Sequence, residues 1–457
     1  MVRFTEISTK DMEILSTFPF LVLLLGIAFL PLVPNVAHHW EKHHVKLIAG
    51  LVLGGLVVVY YGFRARGFEE CAPGLASVRG VIERAALEEF APFFTLLFSL
   101  YVVSGGLRLS GDLKATPAVN ASFLALGAIL ASLIGTTGAS MLLVRPLVET
   151  NRERRNTKHV FVFFIYLVSN IGGCLTPIGD PPLFLGYIAG VPFLWTLGLV
   201  LPWLFCVGSL LAIFYVWDRI AYERETAEAR LRDERLTTPP RLRGGINLVW
   251  LLVVVAVVGA IQPGRPVPGT SLVVRDFVRE AIMLSVAALS LATTPRGLRR
   301  EAEFTYDAII EIACLFLGIF LTMQPAIELL RARGPSLGLE TPASFFWATG
   351  LLSSFLDNAP TYKVFFETAR SLVSPAESFR MVELATAPPI RADLLSAISL
   401  GSVFMGATTY IGNGPNFMVK RIVEERGTPM PSFLGYLAFS AVVLGPLFVA
   451  VQWIFLR

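Results

Sequence analysis

Charged residues, cysteine pairs and catalytic motifs are all scarce in this chain of 457 residues. Asp, Glu, Lys and Arg make up 16% of it, whereas soluble proteins average about 25%. The four cysteines are scattered without pairing spacing, which excludes a disulfide framework and a thiolate metal site. The sequence shows no nucleophile–histidine–acid set and no glycine-rich phosphate loop, so it predicts a protein that is not an enzyme.

Apolar residues are what the chain has in abundance, at 54% of the total and a mean hydropathy of +0.65. The net charge is only +4, which gives no basic surface of the kind that binds nucleic acid. The composition predicts an all-α polytopic membrane protein whose main partner is the lipid bilayer. Mixed charges precede the first apolar run and no cleavage site follows it, so that run is predicted to be a membrane helix rather than a signal peptide.

The apolar runs of the first half are of two lengths. Long runs cover residues 18–33, 45–63, 89–107 and 194–217, and shorter or interrupted ones cover 119–135, 140–148 and 159–188. A full crossing needs about 20 apolar residues, so the short pair on either side of Gly135-Thr-Thr predicts a re-entrant hairpin. The charge-dense stretch 218–245 then predicts a soluble linker.

The same pattern begins again after the linker. Its runs cover residues 246–262, 280–293, 307–330, 344–355, 361–370, 394–419 and 432–456. Short motifs also match between the halves: Glu89-Phe-Ala-Pro-Phe-Phe with Glu311-Ile-Ala-Cys-Leu-Phe, Gly135-Thr-Thr with Asp357-Asn-Ala, and Ile178-Gly-Asp-Pro-Pro-Leu-Phe with Ile411-Gly-Asn-Gly-Pro-Asn-Phe. The chain is therefore predicted to contain an internal repeat.

Each repeat is predicted to hold five transmembrane helices, one of them broken, and one re-entrant hairpin. Because five is an odd number, the second repeat must lie upside down relative to the first. The predicted domains are residues 1–217 for the first repeat, 218–245 for the linker and 246–457 for the second repeat. The bias of Lys and Arg among the loops places the linker in the cytoplasm and both termini outside, in a bacterial-type inner membrane.

Residues 169–186 are the most informative stretch, with the sequence Ser-Asn-Ile-Gly-Gly-Cys-Leu-Thr-Pro-Ile-Gly-Asp-Pro-Pro-Leu-Phe-Leu-Gly. No continuous helix tolerates this spacing of glycine and proline. In a bilayer, unpaired backbone groups are acceptable only around a buried or water-filled site. A broken membrane helix with polar side chains therefore indicates the substrate site of a secondary transporter.

Oxygen-bearing side chains gather at the two hairpin tips and the two helix breaks. The candidate ion or substrate ligands are Thr136, Thr137, Asn170, Thr176, Gly179, Asp180, Asp357, Asn358, Thr361, Thr408, Thr409, Asn413 and Asn416. Such oxygen ligands suit a hard cation. Two sodium sites are predicted, one at Thr137, Asn170 and Asp180, the other at Asp357, Asn358 and Thr409. The hydroxyls have an alternative role, which is to satisfy backbone groups of membrane helices.

Two carboxylates stand out at non-equivalent positions, because Asp180 aligns with Asn413 and Asp357 aligns with Gly135. An ionised carboxylate at membrane depth costs at least about 2.5–3.5 kcal/mol, so it must bind a cation, bind a proton or face water. We hypothesise that both groups exchange a cation for a proton, so that replacing either with Asn abolishes coupled transport. The alternative is that each aspartate caps the helix that follows it.

Lys363 is a possible charge partner of Asp357 during transport. It also lies four residues before Glu367, a spacing that predicts a structural ion pair within one helix.

The motifs Asn170-Ile-Gly-Gly, Pro177-Ile-Gly-Asp-Pro-Pro, Asp357-Asn-Ala-Pro and Ile411-Gly-Asn-Gly-Pro resemble those of the ion transporter superfamily over nearly the whole chain. That superfamily includes sodium/proton antiporters, arsenite carriers and citrate or dicarboxylate carriers. The resemblance implies an elevator-type carrier, usually a homodimer. It also implies scaffold helices within residues 18–63 and 246–293, and transport parts within residues 89–217 and 307–457.

The hairpin tips bear on the choice of substrate. Dicarboxylate carriers of the superfamily have Ser-Asn-Thr at both tips, and this chain departs from that pattern with Gly135-Thr-Thr and Asp357-Asn-Ala. An acid at the tip would repel an anion, which favours a sodium/proton antiporter needing no cofactor beyond sodium ions and protons. The alternative is sodium- or proton-coupled uptake of citrate or a dicarboxylate, with half-helix N-termini binding the anion.

Overall fold

A computed structural model describes residues 13–40, 42–261, 275–372, 379–385 and 388–457. Within these residues the chain is mostly helical, and six helices are long and apolar enough to cross a membrane. A seventh crossing results if the two helices that meet at an angle of 43° beside Met323 form one span. The structure thus agrees with the predicted all-α membrane protein. Residues 1–12 of the predicted first repeat and 262–274 of the second lie outside the described residues.

The elements of the first half follow the predicted runs except at the start of the fourth helix and the end of the ninth. In order they are α1 (Phe18–Phe29), α2 (Pro34–Trp40), α3 (His43–Phe63), α4 (Leu75–Ser104), β1 (Arg108–Asp112), α5 (Pro117–Ile134), α6 (Thr136–Thr150), α7 (Lys158–Leu167), α8 (Pro181–Ile188), α9 (Val200–Glu223), α10 (Ala227–Arg235) and β2 (Thr238–Arg243). Strand β2 pairs antiparallel with β1 and so fastens the linker to the first half.

The second half contains a corresponding series of helices and one short hairpin of strands. In order its elements are α11 (Ile246–Ala260), α12 (Val278–Thr293), α13 (Leu298–Glu301), α14 (Asp307–Thr322), α15 (Gln324–Arg333), α16 (Pro342–Phe355), α17 (Asn358–Ser371), β3 (Met381–Val382), β4 (Ile390–Arg391), α18 (Ala392–Met405), α19 (Gly414–Glu425) and α20 (Phe433–Phe455).

The helix pairs α5–α6 and α16–α17 lie where the two re-entrant hairpins are predicted. Helix α5 is one of the six helices long enough to cross a membrane, so re-entry stays a prediction. Each first arm begins at a Thr-Pro sequence, because the hydroxyls of Thr116 and Thr341 accept hydrogen bonds from Val119 N and Ser344 N. The first hairpin turns at Gly135, whose φ of +82° is a conformation that favours glycine.

Both predicted helix breaks are also present. Helix α7 ends at Leu167, a short 3₁₀ turn follows at Ile171–Leu175, and α8 begins at Pro181. In the second half α18 ends at Met405, and α19 begins at Gly414 after a 3₁₀ turn at Gly406–Thr408.

The helices of the two halves are interleaved. Helix α3 of the first half packs along α14 of the second, and α12 of the second packs along α4 of the first. A close approach of Gly50 and Gly318 allows the α3–α14 contact, since a Cβ added at Gly50 would lie 3.1 Å from the Gly318 Cα. This packing places α4 and α14 beside the predicted scaffold helices.

Two helices are longer than the apolar runs indicate. Helix α4 begins at Leu75 and includes a π-helical stretch, Glu83–Phe90, that carries charged residues into the helix. Helix α9 continues through Asp218, the first residue of the predicted linker, to Glu223. Asp218 is fully buried there. Arg154 and His159 both bond to its carboxylate, at 2.6 and 2.8 Å, and so offset the cost of burying the charge. Hydropathy alone cannot show that such charges are paired.

Candidate functional site

The first hairpin tip packs directly against the first helix break. Thr136 N donates a hydrogen bond of 2.8 Å to the Gly179 carbonyl oxygen. Gly179 also touches the other side of the break, since a Cβ added there would lie 2.1 Å from the Gly173 carbonyl oxygen. The predicted role of Gly179 at the site is therefore one of backbone contact, for which only glycine leaves room.

The Asp180 carboxylate lies at the point where tips and breaks of both halves meet, and Asp180 is 1% exposed. Its Oδ1 accepts hydrogen bonds from Thr136 Oγ1 at 2.9 Å and Asn413 Nδ2 at 3.0 Å. Its Oδ2 accepts one from Asn358 Nδ2 at 2.6 Å. The side chains bonded to Asp180 among the described residues are all uncharged. Its carboxylate makes no helix-cap hydrogen bond. Asp180 therefore does not cap α8, which was the alternative role that the sequence allowed.

Three asparagines connect the two breaks behind Asp180. Asn170 Nδ2 donates to Asn416 Oδ1 at 2.6 Å, and Asn413 Nδ2 also contacts Asn170 Oδ1 at 3.3 Å. Asn416 Nδ2 donates to the carbonyls of Gly406 and Thr409 at 2.9 and 2.8 Å. The predicted residues Asn170, Asn413 and Asn416 thus form one buried network with the carboxylate.

Thr176 and Thr409 occupy matching positions in the two halves and make the same contact. Thr176 Oγ1 donates to the Ser132 carbonyl oxygen, and Thr409 Oγ1 donates to the Ser354 carbonyl oxygen at 2.5 Å. Thr409 Oγ1 also accepts from Gly412 N at 3.2 Å. Both hydroxyls therefore satisfy backbone groups where the helices are interrupted, which is the alternative role for membrane threonines.

Asp357 is half-buried and caps α17, because its Oδ1 accepts a hydrogen bond of 3.0 Å from Ala359 N. Thr361 Oγ1 in turn donates to the Asp357 carbonyl oxygen at 2.9 Å. The two aspartates therefore differ. Asp357 makes the cap contact that was the alternative for both, whereas Asp180 is held by side chains from distant parts of the chain.

Two predicted ligands have oxygens without a hydrogen-bond partner among the described residues. One is Oδ1 of Asn358, a fully buried residue whose amide nitrogen bonds Asp180. The other is Thr408 Oγ1. Thr137 follows Thr136 and is half-buried. A buried amide oxygen without a partner, beside a carboxylate, leaves acceptor capacity that a small cation could use.

Lys363 pairs with two glutamates. Its Nζ lies 3.2 Å from Glu367 Oε1 and 3.2 Å from Glu89 Oε1, so the predicted ion pair within the helix is present. Sequence reasoning matched Glu89 with Glu311 but did not pair it with Lys363; Glu89 is buried and also accepts a hydrogen bond from Gln324 Nε2 at 3.0 Å. The shared repeat position of Glu89 and Glu311 marks both glutamates but does not indicate their partners.

Comparison with known proteins identifies the family to which the chain belongs. A family profile described as "Putative citrate transport" matches residues 9–456, nearly the whole chain. The chain belongs to this family. Two relatives, uncharacterized transporters of Mycobacterium bovis and Mycobacterium tuberculosis, are each 26% identical over 384 residues, covering 76% of this chain and 81% of theirs. These findings support a transporter and a carrier rather than an enzyme. The polar cluster around Asp180 is the candidate substrate site of this family member.

Proposed function

We propose that this transporter exchanges a small inorganic cation, sodium in the first instance, for a proton at Asp180. The observation that carries the proposal is a buried carboxylate whose side-chain partners among the described residues are neutral donors from both halves. An ionised carboxylate at membrane depth is costly, and neutral donors offset only part of that cost. A proton or a bound cation would remove the remaining charge. A single carboxylate that binds either the proton or the cation, but not both at once, couples proton movement to cation movement.

The free Oδ1 of Asn358 supports a cation ligand set that includes Asp180. Thr137 and Asn170 complete the first predicted sodium site. The second predicted site, Asp357, Asn358 and Thr409, stays a prediction, because the Asp357 carboxylate and the Thr409 hydroxyl both bond backbone groups. In this proposal Asp180 carries the exchange. The capping contact of Asp357 supports a structural role, and its participation in exchange stays a prediction.

Alternating access by an elevator-type movement of inverted repeats is part of the same proposal. It is supported by the matched contacts of the two halves, such as those of Thr176 and Thr409, and by a site whose ligands come from both. The homodimer, the inner membrane, the cytoplasmic linker and the external termini remain proposals based on resemblance and loop charge.

A second candidate function is coupled uptake of citrate or a dicarboxylate. The description of the family favours it. The N-termini of α8 and α19, which follow the two breaks, could bind a carboxylate group. Asp180 would then bind the coupling ion.

The deciding experiment measures proton movement in proteoliposomes that enclose a pH-sensitive dye. Sodium, lithium and potassium are added first, and citrate or succinate afterwards. We expect proton release driven by sodium or lithium alone, abolished by Asp180→Asn and unchanged by Asp112→Asn, a matched substitution in β1. A response only to carboxylates would contradict cation exchange and support the second candidate.

A further inference from the structure

A cavity of about 540 Å³ borders α17 at Lys363 and Arg370, further along the helix than Asn358, which contacts Asp180, and charged side chains line it. They come from three helices and one loop: Arg84, Glu88 and Glu89 of α4, Arg331 of α15, Lys363 and Arg370 of α17, and Glu69 of the loop between α3 and α4. The exchange at Asp180 does not use these residues. Ion pairs join α17 of the second hairpin to α4 and α15 across this cavity.

The contact between Glu89 and Lys363 joins the two sides of this cavity, with 3.2 Å between the carboxylate and the ammonium. Breaking a lone buried ion pair is strongly unfavourable, because it leaves a buried charge without a partner. Lys363 would not be left alone, since Glu367 on its own helix lies equally close. Glu367 in turn is paired with Arg370 of its own helix at 3.1 Å, and with Arg331 of α15 at 2.9 Å, which is a second ion pair between α17 and the bundle.

Glu89 also has partners that would stay with it. The π-helical stretch of α4 brings residues five apart together, and Arg84 Nε lies 3.8 Å from Glu89 Oε1. Gln324, at the bend between α14 and α15, donates to Glu89 Oε2. Each side of the Glu89–Lys363 contact therefore keeps a partner when the contact is broken.

The equivalent position in the second half lacks this arrangement. Glu311 pairs with Lys46, which joins α14 to α3 along a close helix contact, and this is its one ion pair among the described residues. The two glutamates thus occupy one repeat position but differ in their surroundings. Among the described residues Glu311 has one ion-pair partner, whereas Glu89 has two, Arg84 and Lys363.

We propose that Glu89–Lys363 is a reversible latch, which holds α17 against α4 in this conformation and releases it when the α16–α17 hairpin moves. The proposal rests on the alternating-access part of the proposed function. Lys363 lies five residues after Asn358, on the helix whose first residue bonds Asp180. A movement of α17 would therefore change the latch and the ion site together.

The latch can be tested by the accessibility of the cavity. Ala189 lines it and is half-buried, so Ala189→Cys is a suitable reporter in a protein with Cys71 and Cys314 replaced by Ser. We expect a maleimide to label this cysteine several-fold faster in purified protein carrying Glu89→Gln or Lys363→Gln. The double variant should be no faster than the faster single variant, because both remove one contact.

Glu311→Gln is the matched control, and it should leave the labelling rate of the reporter unchanged. Thermal unfolding in detergent shows whether each variant remains folded. Unchanged labelling in Glu89→Gln, additive effects in the double variant, or an equal rise in Glu311→Gln would each overturn the latch. Labelling can be measured without ion flux. If the labelling results are as expected but the proteoliposomes show no cation exchange, only the cation proposal is contradicted and the latch stands.

Discussion

Asp180 and Asp357 each precede a helix, yet only Asp357 caps one. The sequence identified both as candidates and could not separate them. The difference depends on Asn358 and Asn413, which lie 178 and 233 positions from Asp180. Cap propensity is a local property that sequence shows, whereas a ligand set assembled from both halves becomes visible only in the fold.

Substitutions of Asp357 test its role as a cap. Asn is as good an N-cap as Asp, whereas Ala costs about 1 kcal/mol. We therefore expect Asp357→Asn to keep both its thermal stability in detergent and its proton exchange in proteoliposomes. Asp357→Ala should lower the unfolding temperature while exchange persists. Loss of exchange in a stable Asp357→Asn protein would restore the sequence-based prediction that both carboxylates exchange ions.

Substitution of Asp218 tests the buried ion pair near the C-terminal end of α9. Asp218→Asn leaves Arg154 buried without its carboxylate, and breaking such pairs costs about 3–5 kcal/mol. We expect a large fall in the unfolding temperature in detergent. Glu223→Gln removes the exposed pair with Arg219 from the same helix, and should change stability by less than about 1 kcal/mol. Equal effects of the two substitutions would argue against the burial of Asp218.

At the scale of elements, the repeat made the sequence unusually predictive. Both hairpins and both breaks lie where the Thr-Pro starts, the glycines and the short apolar runs place them. The π-helical stretch of α4 and the end of α9 were missed, because each depends on pairing of charged residues. Helix α4 begins 14 residues before its apolar run, and two ion pairs stabilise this added stretch, Arg79–Glu83 and Arg84–Glu88. Hydropathy averages treat paired and unpaired charges alike.

The closed shape of the first break depends on the contact between Gly173 and Gly179. Gly179→Ala places a methyl group 2.1 Å from the Gly173 carbonyl oxygen, so the break must open and Asp180 must shift. We expect loss of transport with a lower unfolding temperature. Gly414→Ala, at the start of α19, meets open space and should retain both. Full activity of Gly179→Ala would show that the break is not constrained by this contact.

At the scale of the whole molecule, the two halves share contacts as well as motifs. A Cβ at Gly412 would lie 2.6 Å from the Gly406 carbonyl oxygen, which matches the contact of Gly179 with Gly173. The helices of each half pack against those of the other. If each half makes the five predicted crossings, the two halves have opposite orientations in the membrane, a property that depends on the bilayer as well as on the fold.

Inverted orientation predicts that the two hairpins open to opposite sides of the membrane. Ala118, at the start of α5, and Ser336, before α16, are both exposed and can each be replaced by Cys in a protein lacking Cys71 and Cys314. We expect an impermeant maleimide to label Ser336→Cys in intact bacterial cells, and Ala118→Cys only after the cells are opened. Arg241→Cys in the linker should behave like Ala118→Cys, since loop charge places both in the cytoplasm. Labelling of both hairpins from one side would contradict inverted repeats, whereas an exchange of the two sides would reverse the orientation and leave the inverted repeats intact.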